Sequence, residues 1–271
     1  MRSFTRTHKG FTLIELVMVI VIMGVIGSMV AVFMRGPIDA YFTSGRRAAL
    51  TDVADTTVRR MARDIRTALP NSIRTPNNQC LEFIPTKTGG RYRTEDTGGG
   101  NNLDFASADT TFNMLGSNAA LPLEQRINQG DVIAVYNLGI AGATAYNSDN
   151  TSVVSAVPTE AGNPPETQIP ITSKQFSLAS ASNRFQVIPA TERVVAYVCG
   201  VDGNLHRTVN AVDFTSACPS NGPVIARNAV CNFAASAVDL HRNSLVAINL
   251  SLTEKDEAVV LQNEVHVSNT P

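Results

Sequence analysis

An α+β fold is expected, a long hydrophobic N-terminal helix packed on an antiparallel β-sheet domain, and three observations predict it. Residues Phe11 to Met34 read FTLIELVMVIVIMGVIGSMVAVFM and carry one ionisable side chain. Apolar residues then recur at spacings of three and four as far as Leu69. From Cys80 onward short alternating runs bounded by Gly, Asn, Pro and Ser replace that period, as antiparallel strands require.

The apolar run comes first. At about 1.5 Å per residue, Phe11 to Met34 spans roughly 36 Å as a helix, enough to cross a hydrocarbon core of about 30 Å. A short basic leader with Arg2, Arg6 and Lys9 precedes it and ends in Gly10. A secretory signal peptide is cut after its apolar stretch, whereas a cut here at Gly10–Phe11 would leave the stretch on the mature chain. The positive-inside bias keeps the leader cytoplasmic and sends the C-terminal body to the periplasm.

Glu15 is the informative residue of the run. A carboxylate inside a membrane helix is costly and implies a partner. It sits one helical turn after Phe11, whose α-ammonium, freed by the cut, supplies a positive charge at nearly the same depth. A Glu near a helix start is also favoured by the dipole and can snorkel to the headgroups.

Gly36-Pro37 predicts a kink or short break at the membrane exit, because Pro37 has no N–H to give. Beyond it Leu50, Val53, Ala54, Thr57, Val58, Met61, Ile65, Ala68 and Leu69 form a stripe along one side, which should lie on a sheet. Asp55/Arg59 and Arg60/Asp64 are spaced to pair at i, i+4, and Pro70 ends the helix. The expected division is a leader over 1–10, a membrane and assembly helix over 11–36, its amphipathic continuation over 37–70, and a β-rich periplasmic or extracellular domain over 71–271.

Within that domain strands are expected near Cys80–Ile84, Leu103–Ala106, Val132–Leu138, Phe176–Leu178, Arg184–Ile188, Val194–Cys199, Leu205–Val209, Leu245–Leu252 and Val259–Val267. Asp202-Gly203 reads as a hairpin turn. Thr88–Asn102 and Ala141–Gln168 read as loops, of the kind that contacts neighbouring subunits, carbohydrate or a host surface. Four cysteines, Cys80, Cys199, Cys218 and Cys231, stand apart without metal-ligand spacing, so disulfides are expected, as suits an exported domain. Of the three connectivities, Cys199–Cys218 across the hairpin with Cys80–Cys231 is the pairing expected.

Other chemistry is not indicated. The net charge of -1 gives no broad attraction for nucleic acid, and the arginines of the second helical stretch are interspersed with aspartates. Gly98-Gly99-Gly100 lacks the Lys and hydroxyl of a phosphate loop. His8, His206, His241 and His266 lie near no nucleophile motif, and neither G-x-S-x-G nor H-E-x-x-H occurs. No catalytic residue, metal or cofactor is expected.

Lys9-Gly10-Phe11-Thr12-Leu13-Ile14-Glu15-Leu16 resembles the processing motif of type IV pilins and type II secretion pseudopilins. That resemblance implies a prepilin peptidase that cuts after Gly10 and methylates the Phe11 amine, and a Glu15 that meets the N-terminal amine of an adjacent subunit during assembly. Many major pilins have a helix-bending proline inside the apolar segment, which this chain lacks before Pro37. Arg60 to Arg66 with Ala68 to Arg74, and the Val194–Cys199 and Leu205–Arg207 segments, resemble the larger O-type minor pilins of the mannose-sensitive haemagglutinin (MSHA) pilus. J-type minor pseudopilins share the end of the helix. The implied function is a non-enzymatic minor pilin, held in the inner membrane and then in a surface pilus, whose partners are other pilin subunits and the inner-membrane assembly machinery. The alternatives are a tip adhesin and a minor pseudopilin of type II secretion.

Overall fold

The computed structural model describes residues 10–96, 98, 100–215, 218–235 and 244–268. Arg2, Arg6, His8, Lys9 and His241 lie outside them. The chain forms two compact units, Met1–Ala49 and Leu50–Pro271, and α1 (Leu13–Arg66) contributes to both.

In the first unit the described residues form one exposed apolar helix. Leu13 is 81% and Val32 71% accessible, and the helix is long and apolar enough to cross a membrane. It runs through Pro37 without interruption, so the break expected at Gly36-Pro37 is absent. A proline removes one hydrogen bond, that to the carbonyl four residues earlier, and here this single loss falls within a ladder of 54 residues.

The second unit holds the rest of α1 and fifteen strands. In chain order these are β1 (Arg74–Asn77), β2 (Cys80–Phe83), β3 (Thr88–Arg91), β4 (Asp109–Leu115), β5 (Val132–Val135), β6 (Thr151–Val153), β7 (Thr159–Ala161) and β8 (Glu166–Lys174). They continue with β9 (Arg184–Ile188), β10 (Val194–Cys199), β11 (Leu205–Asn210), β12 (Val224–Ala226), β13 (Ala229–Ala235), β14 (Ser244–Glu254) and β15 (Glu257–Val267). All the paired strands are antiparallel, so the α+β expectation holds.

Two sheets pack on the helix, ordered β1-β2-β10-β11-β12 and β13-β14-β15. Leu50, Ala54, Val58, Met61 and Ile65 meet Leu81, Phe83, Val195, Tyr197, Phe233, Ile248 and Leu250 in one core. The expected stripe is therefore the buried one, apart from Val53, which stays 45% exposed. Fully burying each such side chain contributes on the order of 1.5–3 kcal/mol. Asp55 and Arg59 pair at 2.7 Å as expected. Arg60 and Asp64 do not. Asp64 turns toward the sheet, accepting from the Tyr197 hydroxyl at 2.7 Å and from Arg207 Nε at 3.0 Å, while Arg207 also bridges to both oxygens of Glu192. A sheltered hydroxyl and a half-buried arginine together outcompete a solvent-exposed helical neighbour, whose pairing is worth only a few tenths of a kcal/mol, for the same carboxylate.

Between β2 and β10 the chain builds an outer module from two further sheets, β3-β9-β5-β6 and β4-β8-β7. Tyr92, Phe112, Met114, Ile133, Val135, Ile169, Phe176 and Phe185 form its own core. The other face of β5, Val132 and Ala134, joins Leu69, Ile84, Ile188, Val194 and Phe214 in a second cluster that seals the module onto the end of the helix. This two-sided burial explains why β5 is apolar without alternation.

The expected strands at Leu103–Ala106 and Phe176–Leu178 are absent. Leu103 and Phe176 reach the module's core from irregular backbone, so their spacing reports burial rather than pairing. Conversely, the expected loops Thr88–Asn102 and Ala141–Gln168 contain β3, β6, β7 and the start of β8. Strands β3, β6 and β7 are edges, held by backbone pairing to one neighbour, and need little hydrophobic pattern.

Asp202-Gly203 does form the β10–β11 turn, with Gly203 at φ 73 as such a turn requires. His206, the second residue of β11, clamps this turn. Its Nδ1 lies 2.8 Å from the Gly222 carbonyl and its Nε2 3.0 Å from Asp202 Oδ2, so an imidazolium donates on both sides. The Gly222 carbonyl, and then the Asp202 carboxylate, raise the His206 pKa against the effect of its burial. A raised folded value means stabilisation that is complete below the unfolded pKa of about 6.5 and lost as pH climbs through the folded value. The unfolding midpoint in detergent should therefore fall between pH 6 and pH 8.5, and fall less in His206→Gln; parallel profiles for the two proteins would contradict the clamp.

Candidate assembly site at the head of the helix

The start of α1 is built on Thr12 and Glu15. Thr12 stands one residue before the first helical turn, and its carbonyl accepts the Leu16 N–H at 3.2 Å, the first bond of the ladder. Its hydroxyl oxygen accepts the Glu15 N–H at 3.3 Å. Glu15 reaches back in return. Oε2 accepts the Thr12 N–H at 3.0 Å and the Thr12 hydroxyl at 2.9 Å. This reciprocal arrangement is a capping box, which satisfies backbone donors that the first turn leaves without helical partners.

The geometry gives Glu15 a resting place within its own chain. The carboxylate also lies at the positive end of the helix dipole, where negative charge is favoured. Both bonds of the box fall on Oε2, so Oε1 can accept a second donor without dismantling it. Gly10 and Phe11 precede the helix in exposed backbone outside any helix or strand, Phe11 at 88% accessibility. A β-carbon built on Gly10 meets nothing within 4 Å, so nothing in the fold requires a glycine there. The segment is therefore accessible to an enzyme that recognises backbone.

Sequence reading picked out Gly10, Phe11 and Glu15 and missed Thr12. The signal was present, since Thr12-Leu13-Ile14-Glu15 is the T-x-x-E pattern of a capping box ahead of an apolar run.

The four cysteines are all bonded, but in a different pairing from the one expected: Cys80 with Cys218 and Cys199 with Cys231. Strand parity is the reason. Cys80 is opposite Val198, so Cys199 is one residue out of step and points to the other face of the sheet. Cys199 and Cys231 lie in the core under the helix, whereas Cys80 and Cys218 lie with Ala196 and Val198 on the opposite side. Glu82 is close to the Cys80 and Cys218 sulfurs, but disulfide sulfurs have no thiolate to offer a metal. Glu82 instead pairs with Arg74 at 2.7 Å and accepts the Cys218 N–H at 3.2 Å.

Residues 5–31 match the prokaryotic N-terminal methylation motif, which contains the whole capping box and the Gly10–Phe11 bond. No curated protein and no solved structure matches the chain. The N-terminal segment thus carries a prepilin-like motif, which implies processing by a peptidase and assembly with other pilins.

Proposed function

We propose that this chain is a minor type IV pilin of the MSHA kind, cut between Gly10 and Phe11, methylated on the new amine and joined to a pilus through α1. The observation that carries the reading is the Thr12–Glu15 box placed directly after Gly10-Phe11 at the head of an exposed apolar helix. Before assembly the helix spans the inner membrane, with Thr12 holding the Glu15 carboxylate. During assembly neighbouring helices replace the lipid around the apolar surface, and the Phe11 ammonium of an adjoining subunit supplies the charged partner of Glu15. The second unit is then extracellular, and its Ala141–Gln168 segment is the part offered to a host surface or carbohydrate.

Glu15→Ala should still enter the membrane and lose its leader, because neither step uses the carboxylate. Its incorporation into sheared pili should fall at least about tenfold, the loss that about 1.4 kcal/mol produces and the lower end of what a buried charge-assisted bond contributes. Immunoblots of sheared fibres against membranes measure the ratio, and an unchanged ratio sinks the assigned role.

A further inference from the structure

We propose that the open face where β3 meets β9 is a binding site for an acidic polysaccharide, with Arg91 and Arg184 taking a carboxylate or sulfate group and the Gln186 amide an adjacent sugar hydroxyl. The site goes beyond the assembly role and uses none of its residues. It also lies at the opposite edge of the sheet from β6, the strand that belongs to the Ala141–Gln168 segment.

Register places the groups. Arg91 is the direct cross-strand partner of Arg184, and Gly89 that of Gln186. Alternation puts Arg184, Gln186 and Ile188 on one face of β9 and Phe185 and Val187 on the other, which is the module's core. On the first face Ile188 is sealed in the cluster at the end of the helix, and toward Arg184 the seal gives out, so both arginines are exposed. They border an open depression of about 360 Å³ together with Thr86, Gly89 and Gln186. That volume falls in the range of small-ligand sites, about 300–1,000 Å³. Gly89 brings no side chain, so the floor between Arg91 and the amide is bare backbone, and a β-carbon there would stand 2.9 Å from the Phe185 carbonyl oxygen.

Like charges directly opposite each other on a sheet are destabilising. The fold supplies carboxylates to the cations on either side of this pair and none to the pair itself. Lys87 bridges to Asp131 at 2.6 Å and Arg93 to Glu166 at 2.6 Å. Arg91 and Arg184 have no ion pair or hydrogen bond among the described residues, and no described carboxylate lines the depression. An anion held between the two guanidiniums removes their repulsion and accepts from both planar forks.

Gln186 indicates what accompanies the anion. Its Oε1 is buried with no hydrogen-bond partner, and its Nε2 makes no bond among the described residues either. An orphaned buried acceptor is costly. Turning the amide about its last torsion exchanges the two atoms, so the depression can be offered a donor or an acceptor. A sugar hydroxyl is both and fits either setting, and a polysaccharide carries such hydroxyls beside each acidic group. Single-stranded nucleic acid would instead be held by stacking on exposed rings, and Phe185, the ring that borders this depression, is 1% exposed.

The test uses the full-length chain in neutral detergent at about 0.15 M salt, where long-range attraction is screened. Surface plasmon resonance should show binding to polygalacturonate or to dextran sulfate, which separate the carboxylate from the sulfate, and none to dextran. Arg91→Gln combined with Arg184→Gln should weaken binding at least about tenfold. Its unfolding midpoint should not fall, since a repulsive pair is gone. Arg227→Gln removes an exposed cation elsewhere in the unit and should bind as the native chain does. Gln186→Leu keeps both charges and should weaken binding of the sugar acid but not of polyphosphate. No binding to either acidic polysaccharide overturns the site, as do equal losses in Arg227→Gln and the double variant. Binding that polyphosphate matches in strength and Gln186→Leu leaves unchanged overturns the choice of ligand. All these variants should still enter pili, so failure here leaves the assembly reading standing, and failure of the native chain to enter pili strikes that reading alone.

Discussion

Removing the Cys80–Cys218 bridge by a double alanine substitution is expected to destabilise the second unit by about 5 kcal/mol, and removing Cys199–Cys231 by about 4 kcal/mol. The order follows from loop length. The first bridge closes a separation of 138 residues and the second one of 32, and the entropy withdrawn from the unfolded chain grows with the logarithm of that number. Local chemistry reinforces the order. Cys80–Cys218 holds the Cys218 N–H against Glu82, a fully buried carboxylate whose ion partner is Arg74, so freeing that loop takes away one of its donors. Chemical denaturation of the two double variants in detergent measures the difference. A larger loss for Cys199–Cys231 would show that chain entropy is not the controlling quantity.

Gly10→Glu should leave the chain uncut, with its N-terminus at the original leader. The effect is expected to be all or none at the level of intact mass, because the new side chain stands at the bond that a peptidase must approach through backbone. Folding gives no competing explanation, since a β-carbon at position 10 has open space around it. The uncut chain has no ammonium on Phe11, so incorporation into pili should vanish with cleavage, even though Thr12 and Glu15 still form their box. A Gly10→Glu protein that begins at Phe11 would contradict the processing site.

Much of the architecture was legible in the sequence, and the failures have identifiable causes. Period 3.6 marked the helix and its buried stripe, and period 2 marked β2, β9, β10, β11, β14 and β15, because these segments bury one face or both in a core. The edge strands β3 (Thr-Gly-Gly-Arg) and β7 (Thr-Glu-Ala) have no such signal, since backbone bonding to a single neighbour specifies them. The outer module as a separate core was therefore missed. Disulfide connectivity was hidden for a similar reason: it depends on which face of β10 each cysteine meets, and the register of β2 on β10 is a long-range fact. At the helix head, composition drew attention to the charge of Glu15 and away from the hydroxyl beside it, although both belong to one four-residue pattern.

The place where the outer module enters the sheet has a further consequence. Phe83, where the chain leaves for the module, and Val195, where it returns, are direct cross-strand partners. A whole barrel-sized excursion thus begins and ends at neighbouring points, like a cassette clipped to two adjacent contacts. Its contents can be exchanged for another head while the helix and its supporting sheet keep their connections, provided the replacement offers an apolar plug to Leu69, Ile84 and Val194. Variation in what the module displays can then proceed independently of the helix and the sheet beneath it.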